Sequence, residues 1–188
     1  MTTLWLVRHG PTHAKSMIGW TDLPADLSDT AAIGRLRDYL PEAPVVSSDL
    51  IRAVDTASAL DPAQRLSHDP ALREINFGAW DGLSFSDAEA RDPDLLRAYW
   101  ETPGDVAPPD GESWNTVRAR VDAAIDGYVA LGHSDLIIVA HFGVILTQVQ
   151  RALGINAYAA FSHKISNFSV TKITTSPRWD APVINHIA

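Results

Sequence analysis

The first short apolar run of the chain ends in side chains that can do chemistry. Residues 4–7 are followed directly by Arg8 and His9, and then by Gly10 and Pro11, which turn the backbone. A guanidinium binds phosphate oxygens in pairs, and a neutral imidazole is available as a nucleophile near pH 7. The Arg-His pair is therefore a candidate for binding and attacking a phosphoryl group. Taken alone, the pair could also be a solvated strand end.

Two other parts of the chain carry groups of the same kind. Arg52 lies in SSDLIRAVDTASAL, whose apolar spacing predicts a helix that begins with cap-forming residues and has Arg52 in its first turn. His141 follows the apolar run at 136–140. Helix starts present free N–H groups and the positive end of the helix dipole, so these residues together predict an anion site. A phosphoryl group is the anion that fits such a site best.

The leaving oxygen of a phosphate ester needs a proton, which a carboxylic acid can supply when burial raises its pKa. Glu74, in LREINFGAWDG, is the donor that we favour. Asp49 and Asp22 are competing carboxylates, each interpreted more simply as a helix cap or a turn residue. Spacing alone does not decide among the three.

The elements that must position these groups alternate along the chain. Strands are expected at 4–7, 43–46 and 136–140, and in the two final runs FSVTKI and PVINHI. Helices are expected at 28–40 with Ser28 as N-cap and Pro41 as the stop, in SSDLIRAVDTASAL, at 114–131 with Ser113 as N-cap, and at 144–153. The alternation predicts an α/β fold, a three-layer α/β/α sandwich with a mostly parallel central sheet. Ligands of such sheets bind beyond the carboxyl ends of the strands, where Arg8, His9, Arg52 and His141 are expected.

Composition limits the remaining choices. The chain has 188 residues, enough for one domain covering 1–188. The net charge of −8 opposes binding to nucleic acid or to an anionic membrane. The chain has no cysteine, which excludes disulfides, thiolate metal sites and thiol catalysis. The apolar runs are too short for a signal peptide or a membrane span, so a soluble cytoplasmic protein is expected.

Four blocks of the sequence, in the same order, resemble the histidine phosphatase superfamily, the phosphoglycerate mutase-like proteins. LVRHGPT resembles the opening Arg-His-Gly motif, and SSDLIRAVDTA resembles a Ser-x-x-x-Arg-Ala-x-x-Thr-Ala block. LREINFGAWDG is similar to a Leu-x-Glu-x-x-Phe-Gly-x-Trp-Glu-Gly block, and IVAHFGVI to the second histidine block. PDGESWNTVRARV is similar to the Gly-Glu-Ser segment that precedes this last block. The match covers roughly residues 4–146.

The resemblance implies a phosphoglycerate mutase-like fold and roles for the residues at matching positions. His9 would be the nucleophile that becomes phosphohistidine, Arg8, Arg52 and His141 would hold the phosphoryl oxygens, and Glu74 would donate the proton. No metal and no other cofactor are implied. The physical chemistry agrees, because two guanidiniums and an imidazolium can neutralise the charge that magnesium otherwise neutralises.

The loop after His9 is where the chain departs from the family. Gly10 would let the backbone approach the phosphate, Thr12 could add a hydroxyl donor, and Phe142 is expected at the phosphate site beside the second histidine. Many relatives have an asparagine where this chain has Lys15, and the segment up to GWTDLP is shortened. Lys15 could bind a second anionic group of the substrate, or it is a solvated loop residue.

The leading functional hypothesis is a metal-independent, histidine acid phosphatase-type hydrolase acting on a small phosphorylated metabolite. EINFGAWDGLSF resembles the phosphatase branch that includes α-ribazole and broad-specificity phosphatases, whereas mutases of the family usually have an Arg-x-Tyr-Gly-type segment and a longer insertion there. A phosphoglycerate mutase and an inactive phospho-ligand-binding pseudo-enzyme are the alternatives. A helical and loop insertion at about 77–112 is expected to cover the site. Nothing in the sequence indicates the oligomeric state.

The remaining histidines and tryptophans are mostly expected to be structural. The other histidines fall on predicted loops or strand edges without metal-ligand spacing: His13, His68, His133, His163 and His186. Trp5 and Trp114 are expected in the core. Trp20, Trp80 and Trp100 could line a substrate pocket or simply pack.

Overall fold

The elements of the protein alternate along the chain as the sequence predicts. The structure is a computed structural model that describes residues 1–188. The five strands are β1 (Thr3–Arg8), β2 (Val45–Ser47), β3 (Asp135–Ala140), β4 (Val170–Thr174) and β5 (Asp180–His186). The seven helices are α1 (Thr30–Tyr39), α2 (Ile51–Ala59), α3 (Phe85–Arg91), α4 (Pro93–Glu101), α5 (Trp114–Ala130), α6 (Phe142–Leu153) and α7 (Ala157–Ala160). Two short 3₁₀ turns lie between α2 and α3, at Pro70–Leu72 and Gly78–Trp80.

The sheet has a parallel half and an antiparallel half. The strand order is β2-β3-β1-β4-β5. β1 and β2 both pair with β3 in parallel, and Arg8 lies opposite Ala140 in the register. β4 pairs antiparallel with both β1 and β5. The sheet is therefore mixed. Only a few residues join β4 to β5, and so short a connection permits an antiparallel pair but not a parallel one.

Two hydrophobic cores, one on each face of the sheet, establish the three layers. Successive strand residues point to opposite faces, so Leu6 and Ile138 belong to the larger core while Val7 and Val139 belong to the smaller one. Apolar residues of α5 and α6 fill the larger core, and those of α1 and α2 fill the smaller. This arrangement confirms the predicted α/β/α sandwich. No helix combines the length and apolarity that crossing a membrane requires.

Helix α1 begins later than predicted. Its N-cap is Asp29, whose side chain accepts a hydrogen bond from the Ala32 N–H. The predicted cap, Ser28, instead donates its backbone N–H to the Asp26 carboxylate, which holds it in the preceding loop. The prediction of Ser28 as N-cap is therefore wrong.

Two other helices have N-terminal caps that come from different distances along the chain. Ser113 caps α5 as predicted, accepting from the Thr116 N–H. Helix α2 has no side-chain cap of its own at Leu50. The Asp22 carboxylate reaches its first N–H group, that of Ile51, from a loop 29 residues earlier, at 2.7 Å. Asp22 is therefore a helix-capping residue, the simpler of its two interpretations.

Candidate active site

The parallel register of β1 and β3 places two histidine rings side by side. His9 follows the last residue of β1 and donates its backbone N–H to the Ala140 carbonyl at the end of β3. His141 follows Ala140 and is the N-cap residue of α6. The ring centroids of His9 and His141 are 5.0 Å apart. The predicted convergence of the two strand ends is thus present in the structure.

The His9 ring is fixed in one tautomer. Its Nδ1 lies 2.6 Å from the Gly10 carbonyl oxygen, which can only accept, so Nδ1 carries the hydrogen and Nε2 keeps a free lone pair. The ring is 6% exposed. Burial lowers the pKa of His9 to about 3, with the nearby positive charges of Arg52 and Arg8 adding to the effect. The imidazole is therefore neutral, with Nε2 free to attack.

Two guanidiniums lie beside the histidines, that of the half-buried Arg8 and that of the buried Arg52. Arg8 donates from Nη1 to the Ile165 carbonyl, while its buried Nε has no protein partner. Arg52, in the first turn of α2, is 1% exposed and donates from its two Nη atoms to the carbonyls of Thr21 and Gly19, at 2.9 and 2.6 Å. Burial lowers the pKa of both arginines from their ordinary value. An anion in the site would supply the negative charge that two such cations favour.

His141 is fully buried and has no hydrogen-bond partner in the protein. Neither Nδ1 nor Nε2 has one, although both atoms are inaccessible to solvent. Burial lowers the pKa of His141 well below its ordinary value, and the surrounding cations lower it further. Buried polar atoms without partners are rare in folded proteins, so these two nitrogens are candidates for binding a ligand.

Glu74 presents one carboxylate oxygen as a potential proton donor. Its Oε1 accepts from the Ile75 N–H at 3.0 Å and from the Gly143 N–H at 2.9 Å, whereas Oε2 makes no hydrogen bond to the protein. The residue is 7% exposed. Burial raises the pKa of the carboxyl group, and the cations Arg52 and Arg8 oppose this rise. The acid can hold its proton on Oε2 above the usual pH range of a glutamate.

A small polar cavity is lined by four of these five groups, and His141 is the one that does not line it. Its volume is about 110 Å³. The residues that line it are Arg8, His9, Thr12, Ala14, Ser16, Ile18, Arg52 and Glu74. Larger cavities lie elsewhere, including one of about 390 Å³ beside Trp179. We place the site at the smaller cavity because only that cavity combines a free imidazole nitrogen, two guanidiniums and an acid.

The other predicted site residues differ in whether they line this cavity. Thr12 lines the cavity, and Gly10 lies so close to Phe168 that a Cβ atom there would be 2.8 Å from the ring. Lys15 has an exposed side chain and does not line the cavity. Phe142 is half-buried, with its ring centre 5.6 Å from the Arg8 guanidinium carbon. The binding roles of Lys15 and Phe142 stay predictions. None of the lining residues belongs to 77–112, and the cover of the site by that segment likewise stays a prediction.

Thr56, which the sequence patterns did not single out, lies between two of the segments that carry site residues. The Thr56 hydroxyl accepts from the Gly10 N–H at 2.9 Å and donates to the Arg52 carbonyl at 2.7 Å. It therefore ties the loop after β1 to helix α2. Thr56 is the threonine of the block that contains Arg52, so its position in that block was the available signal.

The backbone of the loop at 19–21 is hydrogen-bonded to two side chains, those of Asp81 and Arg52. The Asp81 carboxylate accepts from the backbone N–H groups of Gly19, Trp20 and Thr21, at 2.8 to 3.3 Å. The carbonyls of the first and third of these residues accept from Arg52, as described above. Asp81 therefore helps to orient Arg52 without touching it, and nothing in the local sequence indicated this.

The tryptophans divide between packing and the site. Trp80 and Trp114 are buried in the larger core, and Trp100 packs against it. Trp5 is only half-buried and packs against the smaller core. Trp20 is 38% exposed and donates its indole N–H to the Glu74 carbonyl at 2.9 Å. Of the three candidates for pocket lining, only Trp20 is bonded to a site residue.

The remaining titratable candidates have partners of their own. Asp49 forms a bidentate ion pair with Arg73, with N–O distances of 2.6 and 2.7 Å. His13 is exposed and bonded to Asp26. His186 stacks on a tyrosine ring at a centroid distance of 4.2 Å. No group of three or more His, Asp or Glu side chains is arranged to hold a metal ion.

Comparison with known proteins gives a family for this arrangement. Residues 4–184 match the sequence profile of the histidine phosphatase superfamily (branch 1). A bifunctional protein of Mycobacterium tuberculosis is 34% identical over 171 residues, which are 81% of this chain and 44% of that protein. The chain thus spans less than half the length of the first curated relatives it matches.

Other relatives are covered over most of their length. A glucosyl-3-phosphoglycerate phosphatase of Mycolicibacterium vanbaalenii is 32% identical over 81% of this chain and 74% of that protein. An adenosylcobalamin/α-ribazole phosphatase of Salmonella typhimurium is 28% identical over 86% of this chain and 85% of that protein. A probable phosphoglycerate mutase of Proteus mirabilis is 26% identical over 92% and 85%. Among solved structures, Bacillus stearothermophilus YhfR superposes with a TM-score of 0.90 at 26% identity, covering 100% of this chain and 98% of that one.

Proposed function

Because the chain belongs to branch 1 of the histidine phosphatase superfamily, we propose that it is a phosphatase that hydrolyses small phosphomonoesters through a phosphohistidine on His9. One observation carries the proposal. Arg8 Nε and both ring nitrogens of His141 are buried without a protein partner, beside the free Nε2 of His9. Phosphoryl oxygens can accept from Arg8 Nε–H and from the one N–H of a neutral His141, while the phosphorus faces the nucleophile.

In the first step, Nε2 of His9 attacks phosphorus with its lone pair and forms the P–N bond. The P–O bond to the leaving group breaks, and its electron pair stays on the leaving oxygen. Glu74 donates the proton from Oε2 to that oxygen, so that the product leaves as an alcohol. Arg8, Arg52 and His141 hold the three remaining phosphoryl oxygens and stabilise their charge.

In the second step, a water molecule attacks the phosphorus of the phosphohistidine. The Glu74 carboxylate, now unprotonated, takes a proton from this water. The P–N bond breaks, its electron pair returns to Nε2 of His9, and inorganic phosphate leaves. The site returns to its starting protonation state, with no metal ion in either step.

The cavity limits which part of the substrate can be enclosed. Its volume of about 110 Å³ is well below the roughly 300 to 1,000 Å³ typical of sites that enclose a drug-sized ligand. We propose that it encloses the phosphoryl group, that the Thr12 hydroxyl adds a donor there, and that the rest of the ester extends past Glu74. This places the substrate among small phosphomonoesters without choosing one of them.

Release of phosphate from p-nitrophenyl phosphate in the presence of EDTA tests this proposal. We expect turnover by the wild type, and a loss of at least about 10⁴-fold in His9→Ala because the nucleophile is removed. His13→Ala is the matched control, since His13 is exposed and four residues further along the same loop. Phosphate binding without turnover by the wild type would favour a pseudo-enzyme. Phosphoglycerate isomerisation as fast as phosphate release would favour a mutase.

A further inference from the structure

The Arg120 side chain on α5 donates all five of its N–H groups to Glu112 and to main-chain carbonyls at 71–74. Nε donates to Glu112 Oε1 at 2.8 Å. Nη1 donates to the carbonyls of Ala71 and Arg73, at 2.9 and 2.8 Å. Nη2 donates to the carbonyl of Glu74 and to Glu112 Oε2, at 2.9 and 2.8 Å. A guanidinium has five such donors, so this one is fully satisfied by the protein.

Glu112 connects the Arg120 guanidinium to the backbone of Asn76, which follows Glu74 by two residues. Its Oε2 also accepts from the Asn76 N–H at 2.9 Å, and its own N–H donates to the Asn76 carbonyl at 2.8 Å. The Arg120 and Glu112 side chains are only 19% and 14% exposed. The pair is therefore largely protected from solvent, where charge-assisted bonds are stronger than at the surface.

The segment that receives these bonds has no regular structure of its own. Residues 73–76 lie between two short 3₁₀ turns, so neither a helix nor a strand satisfies their carbonyls. Arg120 and Glu112 take over that task on both sides of Glu74. Two of the five Arg120 bonds go to carbonyls of this stretch and a third goes to Ala71 just before it, whereas none goes to the helix that carries Arg120.

We propose that Arg120, braced by Glu112, is a positioning residue that fixes the main chain around Glu74 and thereby aims its Oε2 at the leaving oxygen. This inference rests on the proposed function, because it assigns Arg120 a part in the protonation step. It deepens that function by separating the residues that bind the phosphoryl group from those that aim the acid. Arg120 itself touches neither the nucleophile nor the cavity.

The test compares two esters in Arg120→Lys. Lysine keeps the charge but has three donors in place of five. For an alkyl phosphate, whose leaving group needs a proton, we expect kcat/KM to fall about 10²-fold, because small misplacements of an acting group have effects of this size. For p-nitrophenyl phosphate we expect kcat/KM to change by less than about 3-fold, since its leaving group needs little protonation and kcat/KM excludes the later step in which Glu74 activates water. Arg118→Lys, two residues away on α5 and paired with Asp122 at 3.4 Å, is the matched control.

A second variant and a double variant make the assignment sharper. Glu112→Gln removes the charge that braces Arg120 and should show the same selectivity in a milder form. In the Glu74→Gln background, Arg120→Lys should slow the alkyl ester no further, because its partner in that step is already absent. Equal losses for both esters, or full additivity in the double variant, would overturn the proposal.

An NMR titration decides the inference even if the wild type turns over neither ester. The ¹³C signal of the Glu74 carboxyl should report a raised pKa in the wild type and a pKa closer to the ordinary value in Arg120→Lys, as the loosened segment lets water reach the acid. An unchanged pKa would contradict positioning by Arg120. Absence of turnover in the wild type would instead contradict the proposed function, so the two failures are distinguishable.

Discussion

His9 and His141 each follow a strand in the parallel half of the sheet, whereas Glu74 lies in a stretch with neither helix nor strand. The two histidines are placed by the register of β1 against β3, which also sets the position of Arg8. Glu74 is placed by bonds that arrive from distant parts of the chain, from Trp20 and from Arg120. We call the first region the phosphate side and the second the acid side.

The two sides of the site differ in how readily a single substitution can disturb them. The phosphate side depends on ladder bonds between strands, which are lost only when the sheet opens. The acid side depends on a few side chains that donate to carbonyls, and each can be removed singly. Substitutions on the phosphate side should therefore lower kcat/KM for every phosphate ester, and those on the acid side should lower kcat/KM according to how much proton the leaving group needs.

Among the substitutions that compare the two sides, the largest effect is expected at Arg52, which we assign to the phosphate side from the first turn of α2. Arg52→Lys removes the planar guanidinium that holds the loop carbonyls of Gly19 and Thr21 and that we propose to hold a phosphoryl oxygen. We expect kcat/KM to fall about 10³-fold for alkyl and aryl esters alike. Arg37→Lys on the exposed surface of α1 is the control. A loss confined to alkyl esters would place Arg52 on the acid side and erase the distinction.

Gly143→Ala tests the point where the two sides meet. A Cβ atom there would lie 2.5 Å from Glu74 Oε1 and 2.8 Å from the Ile75 side chain, in a buried position. The displaced acid should lower kcat/KM for alkyl esters about 10²-fold, and for aryl esters much less. The matched control is Gly127→Ala in helix α5, where a Cβ atom has open space. Equal activity of both variants on an alkyl ester would show that Glu74 is not held at this contact.

The pH dependence of kcat/KM should separate the two sides. The pKa of His9 is about 3, so the nucleophile is already neutral at mildly acidic pH and activity rises with pH only below that range. The pKa of Glu74 is raised, and activity on alkyl esters should fall as the pH rises through it, because the carboxylate can no longer donate. In Glu74→Gln this alkaline limb should disappear. An acidic limb near pH 6.5 that follows His9, measured after correction for ionisation of the substrate, would contradict the buried neutral imidazole.

The smallest effect is expected at Trp20. Trp20→Phe removes one hydrogen bond to the Glu74 carbonyl, while Arg120 still donates to the same oxygen. A bond of this kind contributes about 1 kcal/mol, and we expect a loss of about 5-fold or less on alkyl esters. Trp5→Phe removes an indole N–H bond to Asp135, the first residue of β3 at the opposite end from His141, and is the control. A loss comparable to that of Gly143→Ala would show that Trp20 is a main support of the acid.

The phosphate side was largely predictable from the sequence. Apolar runs followed at once by Arg8, His9 and His141 indicated strand ends, and the carboxyl ends of parallel strands share one edge of a sheet. The apolar spacing likewise predicted a helix with Arg52 in its first turn. Such periodic patterns are local, so a single sequence carries them.

The acid side was predictable only at Glu74, and there the family resemblance selected it over Asp22 and Asp49. Arg120 looks like any solvated arginine on an amphipathic helix, because its carbonyl partners lie 46 to 49 residues earlier in the chain. The bonds of Asp81 to the loop at 19–21 span 60 to 62 residues. Side-chain bonds to a distant backbone leave no periodic trace in the sequence.

The central claim is a covalent phosphoenzyme on His9. Rapid mixing with a labelled aryl phosphate, followed by quenching and peptide mapping by mass spectrometry, measures it directly. We expect a label on His9 that survives alkali and is lost in acid, as a phosphoramidate is, and no label in His9→Ala. An acid-stable label, or a label that persists in His9→Ala, would contradict the account.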